Sequence, residues 1–371
     1  MRELTENDVE HLLIGAEVLG VGGGGTVEEG REMAREVHAS GRRFKLVDPR
    51  ELPDNALVFI LAGVGGGVPD DILKRVQRLK VAPEKSVIVA ARELSRYLGE
   101  EPYAFLASEI GAGNTLVPMY VAAMTGKYTV DADGCGRSKP EVSISTTHVR
   151  NLPVTPACEV SSFGDVVILK QAVDDYRAED ICRYVAIICG GDAGLARCPT
   201  RGKLIREAVV PNSISKAIEV GAKIDKAKQS GADPVKALID ATYGRRIFEG
   251  TLESWEREKK EAFDWGQLLI QGKDLYKDQT LKVYFKNEFL VSWKNEKPYV
   301  TCPDLICILD KRDFRGLSNT VADTHKFEGT EVAVVGVPAH PIWRTDRGIE
   351  IFGPRHFNFD IDYRPLETIV P

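Results

Sequence analysis

No run of apolar residues in this 371-residue chain approaches the ~18–20 needed to cross a bilayer as a helix. No basic stripe interrupts its formal charge of −6, which is spread along the sequence. Membrane and nucleic acid are therefore poor partners. Histidine is scarce, at six, and never occurs in HxH or HExxH spacing. The seven cysteines are odd in number and lack CxxC pairs, which argues against a disulfide framework and against a zinc knuckle. The first residues, MRELTENDVEHLL, are charged from the start and hold no signal-peptide core, so the cytoplasm is the expected address. Fixed-period repeats and low-complexity segments are also missing.

What remains is the composition of a soluble globular protein, 43% hydrophobic and 28% charged, with too many residues for one ordinary core. Residues 101–140 organise the rest. Tyr103 to Ala107 reads as a strand buried on both faces, broken by the polar glycine turn from Glu109 to Asn114. A helix starting at Thr115 and ending at Gly126 leads to a second strand, Tyr128 to Val130. That strand runs into a second polar turn, Asp131 to Arg137. If the strands are parallel, both turns lie at the carboxyl edge of one sheet, where open α/β sheets place their ligands.

The remaining pattern fills in around that piece. Thr5 and Asp8 have capping-box spacing before a helix to Leu19. Gly20-Val-Gly-Gly-Gly-Gly-Thr26 follows, with Thr26 and Glu29 placed to open a second helix that ends by Gly41. These glycines follow a helix and not a strand, so no nucleotide is expected there; the loop is either a backbone surface facing a ligand or a tight turn with a purely structural role. Ala56 to Ala62 is a strand ending in Gly63 to Gly67, with a helix from Asp70. Residues 86–98 are ambiguous: Ser86–Ala91 fits a strand, whereas ARELSRYLG reads as helix. Pro153 and Pro156 mark a boundary near residues 150–165. Beyond it come a strand (Val166–Leu169), a helix (Ala178–Tyr184), a strand (Val185–Cys189) ending in a third glycine turn, and helices over about 200–245, with Ser213 a natural cap. Short alternating strands follow, at 281–285, 289–293, 305–309, 331–336 and 349–352. The expected fold is α/β. Residues 1–165 form a three-layer domain with a mainly parallel sheet, and residues 166–371 a β-rich domain with inserted helices.

Five pieces, GVGGGGT (20–26), EIGAGN (109–114), VDADGCGRSKPE (130–141), NEFL with PDLI (287–290, 303–306) and VPAHPIWRT…FGPRHFNFD (337–360), resemble the S-methyl-thiohydantoin desulfurase family, in the same order and nearly end to end. The resemblance implies an N-terminal α/β domain, a β-rich C-terminal domain, and hydrolysis at the carbon between the two nitrogens of a hydantoin-like ring with expulsion of a thiol. It departs at Thr26, where an acidic residue is usual, and at Cys135, where methionine is common.

Such hydrolysis needs a base for water, donors for the developing anion and a proton source for the leaving group. Glu109, Asp131 and Asp133 are candidate bases, and His340 joins them as a catalytic candidate. Asn114 and the amides of Gly23, Gly24, Gly25 and Gly66 are candidate donors. Arg137 is placed to hold a substrate carboxylate, with Arg344 and His356 as further contacts from a tail dense in polar groups. Asp131 and Asp133, joined by His340 or His356, are also a conceivable set for a divalent metal. In the plainer alternative the two aspartates cap the turn, Glu109 pairs with Arg137, and the tail is a packed arm. The cysteines are expected in the core, Cys189 being the one beside a glycine turn. The expected ligand is a small cyclic amide and the expected assembly a homo-oligomer. The rival to the enzyme is a non-catalytic binding or accessory subunit partnering a hydantoinase- or oxoprolinase-type enzyme.

Overall fold

A computed structural model describes residues 1–260 and 262–370. The chain folds as a mixed α/β protein built on two sheets. The first takes β1 (Arg2–Glu3), β2 (Lys45–Val47), β3 (Leu57–Gly65), β4 (Ala104–Ala107), β5 (Tyr128–Asp133), β6 (Ala157–Ser161), β7 (Val166–Leu169), β8 (Asp192–Arg201) and β9 (Val210–Pro211), in the order β1-β2-β5-β4-β3-β8-β6-β7 with β9 beside β5. The run β2-β5-β4-β3 is parallel. Its central members, LVFILA in β3 and AFLA in β4, are buried throughout, as strands covered on both faces must be. β8, β6 and β7 extend this core antiparallel, so the chain continues to build the first sheet well past residue 166.

The second sheet is antiparallel throughout: β10 (Arg245–Lys260), β11 (Phe263–Gly272), β12 (Thr280–Lys286), β13 (Glu288–Lys294), β14 (Lys297–Thr301), β15 (Leu305–Asp310) and β16 (Glu331–Val337), in the order β14-β13-β12-β11-β10-β16-β15. One apolar core joins the two halves, running from Leu12 and Phe59 to Trp255 and Phe289.

Local chemistry explains the helices. Both predicted capping boxes are present, Thr5 with Asp8 and Thr26 with Glu29, so the hydroxyl at position 26 serves the helix Val27–Ala39. Gly126 ends Leu116–Thr125 in the left-handed region, at φ 71°. Residues 86–98 are helix throughout. Three expectations fail. Val185–Cys189 is the end of the helix Asp175–Ile188, and 349–352 belongs to the helix Asp346–Phe352. Ser213 does not cap its helix. Asn212 occupies that position without a side-chain bond, and the capping carboxylate comes from Asp131 on β5.

Candidate functional site

Because β3, β4 and β5 run the same way, Gly63–Gly67, Ser108–Asn114 and the turn after Asp133 reach one edge of the sheet. β8 enters antiparallel with Asp192 opposite Gly65, so the third glycine turn arrives there as well, through the start of a strand and not its end. The second sheet closes over this edge from two places. The far end of the β10–β11 hairpin is tied down where the Gly67 amide donates to the Ala262 carbonyl at 3.3 Å, and the β12–β13 turn presents Asn287 and Glu288.

Between them lies a cavity of about 360 Å³, lined in part by Gly23–Gly25, Glu109, Asn114, Lys139, Glu141 and Glu288. Across Glu141, Arg183 and Phe263 it adjoins a larger one of about 880 Å³ that includes Tyr176, Tyr184 and Lys286. The glycines serve close approach first. The Gly113 and Asn114 amides donate to the Gly24 carbonyl at 3.0 and 2.9 Å. A Cβ on Gly24 would stand 2.5 Å from the Gly111 Cα, and one on Gly23 would overlap the Glu288 carboxylate. The Gly66 amide, expected to face a ligand, donates instead to the Gly191 carbonyl at 3.3 Å.

Glu109 is buried, and its Oε1 accepts from Asn114 Nδ2 at 2.5 Å and from the Ser138 hydroxyl at 2.8 Å, while Oε2 accepts from the Lys139 amide at 3.0 Å. Glu288 Oε1 lies 3.1 Å from the same Ser138 hydroxyl, and its Oε2 is buried without a partner among the described residues. One hydroxyl hydrogen cannot serve two carboxylates, so the arrangement is complete when a protonated Glu288 donates to Ser138 and Ser138 donates to Glu109. Burial, and then the negative charge of Glu109, push the Glu288 carboxyl up to about 8, which favours that proton placement.

Glu141 is the opposite case. Burial works to raise it, but His356 Nε2 at 2.9 Å and Lys286 Nζ at 2.5 Å outweigh burial and hold it down to about 2. The cavity wall therefore carries a proton-holding carboxyl and a firmly ionised one.

Of the residues expected at the site, Glu109, Asn114, Gly23, Gly24, Gly25 and Gly66 line the cavity, and His356 reaches it through Glu141. The others are spent elsewhere. Asp131 accepts from the Ser215 amide at 2.9 Å and its hydroxyl at 2.6 Å. Asp133 is fully buried and accepts from the Cys135 and Gly136 amides, with burial pushing it up to about 7. Arg137 gives its guanidinium to three carbonyls, those of Ser138, Phe289 and Asp304, and has no substrate-facing role. Arg344 binds Asp304 and Glu367. His340 caps the turn Pro341–Arg344 and lines a separate cavity of about 220 Å³ with Cys135 and Lys216. The proposed metal set is thus dispersed, and among the described residues no cluster of three or more His, Cys, Asp or Glu is placed to hold a metal. His148 is hydrogen-bonded between the Ser143 carbonyl and Arg347. All seven cysteines are free and buried, and burial pushes the Cys189 thiol up to about 11, which leaves it no nucleophile at neutral pH.

Glu288 and Glu141 were missed as site residues. The signal was available, since both sit inside pieces that carried the family resemblance, NEFL and VDADGCGRSKPE.

Residues 7–171 match the family description "S-Me-THD-like, N-terminal domain" and residues 173–366 match "S-Me-THD-like, C-terminal domain". The fold is similar to the crystal structure of a protein from Chromobacterium violaceum that is 24% identical, with a TM-score of 0.80 over 99% of this chain and 100% of that one. No curated protein matches the chain. Among the described residues no helix is long and apolar enough to cross a membrane.

Proposed function

The chain belongs to the S-Me-THD-like family over nearly its whole length, and on that premise we propose that the cavity at the sheet edge hydrolyses an S-methylated thiohydantoin or a related hydantoin-type cyclic amide. The observation that carries this reading is the pair Glu109 and Glu288 on one serine hydroxyl, 2.8 and 3.1 Å away. A carboxyl that burial and a neighbouring charge hold protonated, next to a second carboxylate, supplies an acid and a base in one site. Glu109 takes a proton from water as its oxygen bonds to the ring carbon flanked by two nitrogens, and passes that proton to the adjacent ring nitrogen. Glu288 protonates the sulfur as the carbon–sulfur bond breaks, and recovers its proton from the new hydroxyl as that becomes the carbonyl. One water is consumed and one thiol released. The adjoining cavity, with Tyr176 and Tyr184, gives room for the ring substituent.

The test is turnover of S-methylated thiohydantoins and hydantoins by the purified protein. Glu109→Gln and Glu288→Gln are each expected to lower kcat/KM by about 10²–10⁴-fold, the usual contribution of a general acid or base. Unchanged turnover in both variants would sink the assignment.

One observation favours the rival reading, a binding or accessory subunit. Glu109 already accepts three hydrogen bonds from the protein, as a carboxylate held to position a ligand would. That reading predicts that hydantoin binds the wild-type protein, saturably and without any product.

A further inference from the structure

Two buried cations without counter-ions among the described residues stand together here, Lys139 in the cavity wall and Arg197 behind it. Arg197 on β8 is fully buried, and its Nη2 donates to the Ser108 hydroxyl at 3.0 Å. Its Nε and Nη1 have no partner among the described residues. Lys139 is also buried, and its Nζ donates once, to the Glu141 carbonyl at 3.0 Å, leaving two of three hydrogens uncommitted. No carboxylate of the described residues comes within ion-pair distance of either cation; Asp175 and Glu179 act on Arg197 only from farther away, as Glu109 does on Lys139. Burial, and then the charge of Arg197, lower the proton affinity of Lys139, a direct sign that the two cations oppose each other. Taking an unpaired charge out of water is costly, and an arrangement of this kind is completed by an anion.

Ser108 connects the pair to the cavity. It lines the wall beside Lys139, and because its oxygen accepts from Arg197, its own hydrogen is uncommitted among the described residues. We infer that Ser108 and Lys139, backed by Arg197, form an oxyanion subsite that seats the delocalised negative oxygen of the cleft's ligand. The subsite lies in the same cavity as the Glu109–Glu288 pair and uses other side chains, the Lys139 amide alone reaching Glu109, and it rests on the cyclic-amide reading only for the identity of the natural occupant. Two chemistries share that description, an ionised ring amide and a carboxylate substituent, and both put a planar oxyanion against a serine hydroxyl and an ammonium.

Acetate is the probe, titrated calorimetrically into the full-length protein at constant ionic strength. The wild-type protein is expected to bind it saturably. Lys139→Met and Arg197→Met are expected to bind about tenfold more weakly or worse, as for loss of a charged hydrogen bond. Ser108→Ala removes a single hydroxyl at the wall and serves where a variant at the buried arginine fails to fold; it too is expected to weaken acetate. Hydantoin, titrated above the pH at which its ring nitrogen ionises, distinguishes the sources: competition with acetate assigns the subsite to the ring anion, and simultaneous binding assigns it to a carboxylate. Absence of saturable acetate binding, or equal binding by wild type, Ser108→Ala and Lys139→Met, overturns the inference. Turnover without acetate binding would sink the subsite alone, and acetate binding without turnover of any cyclic amide would sink the hydrolase alone.

Discussion

The glycine rim at the strand ends and the C-terminal tail are both dense in polar side chains, and they spend them differently. Beneath the tail, Asp304 is buried just before β15 and collects the tail's Ala339 and Leu366 amides, Tyr363 hydroxyl and Arg344, at 2.7, 2.9, 3.1 and 2.8 Å. Arg355 pairs with Asp360 and Asp362, and the Trp343 indole donates to the Cys135 carbonyl. Among the described residues Arg344 Nε is the one buried side-chain polar atom of the tail left without a partner. At the rim, Glu288 Oε2, Asp264 Oδ1 and two nitrogens of Arg197 are buried without a partner among the described residues. A packed arm closes its own hydrogen bonds; a site leaves some to its ligand.

Breaking the rim should therefore cost activity, and breaking the tail should cost stability. The largest effect is the loss of turnover in Glu109→Gln and Glu288→Gln already described. Next is Asp304→Ala, which removes the acceptor for four donors and leaves Arg344 with Glu367 alone on the exposed side. Breaking a buried charged hub of this kind typically costs about 3–5 kcal/mol, read as a lower denaturation midpoint. The protein that remains folded should keep its kcat, because Asp304 does not touch the cavity. A kcat loss without a stability loss would reverse the comparison.

The rim also sets a pH dependence. The folded state holds the Glu288 proton up to about 8, whereas an unfolded glutamate releases it near its ordinary value of 4.5. Between those values the native state binds more protons than the unfolded one, so stability falls as pH rises through that window. Asp133, pushed up to about 7, and Glu159, pushed up to about 8, both chiefly by burial, act in the same direction. Glu141, held down to about 2, contributes stability that is full above about 4.5 and is lost as pH falls toward 2. Thermal unfolding across pH should therefore show greatest stability in mildly acidic solution. Glu288→Gln should flatten the decline toward pH 8, and a decline equally steep in the variant would remove Glu288 from its cause.

Much of this architecture was legible in the sequence because it is local. Capping boxes at Thr5 and Thr26, the stop at Gly126 and the buried strands of the 57–65 and 104–107 segments depend on neighbours a few residues away. So did half of the site, since parallel strands bring Glu109 and Asn114 to one edge. The other half comes from long-range pairing. Glu288 meets Ser138 across 150 residues, and nothing in the spacing of either announces the other. The tail misled for a related reason: a run of His, Arg and Asp looks the same in sequence whether it faces a ligand or itself. Asp131 and Asp133 misled through alternation. Two acids at i and i+2 do share a face of β5, but that face looks toward the helix Ser213–Ser230 and the next turn.

Asp131 gives the smallest and most discriminating expectation. Its carboxylate replaces the missing side-chain cap at Asn212, taking the Ser215 amide and hydroxyl, while its own carbonyl accepts from the Asn212 amide at 2.7 Å. Asp131→Ala leaves the carbonyl bond and removes the cap, a loss of about 1 kcal/mol for a helix N-terminus. Asp131→Asn, which keeps an acceptor, should cost less. Neither change reaches the cavity, so kcat/KM for a cyclic amide should stay within about a factor of two of wild type, well inside the tenfold that 1.4 kcal/mol represents. If Asp131→Asn instead abolishes turnover while the denaturation midpoint is unmoved, the strand-end aspartate is part of the chemistry, and the division between a rim that acts and a surrounding framework that only holds is drawn in the wrong place.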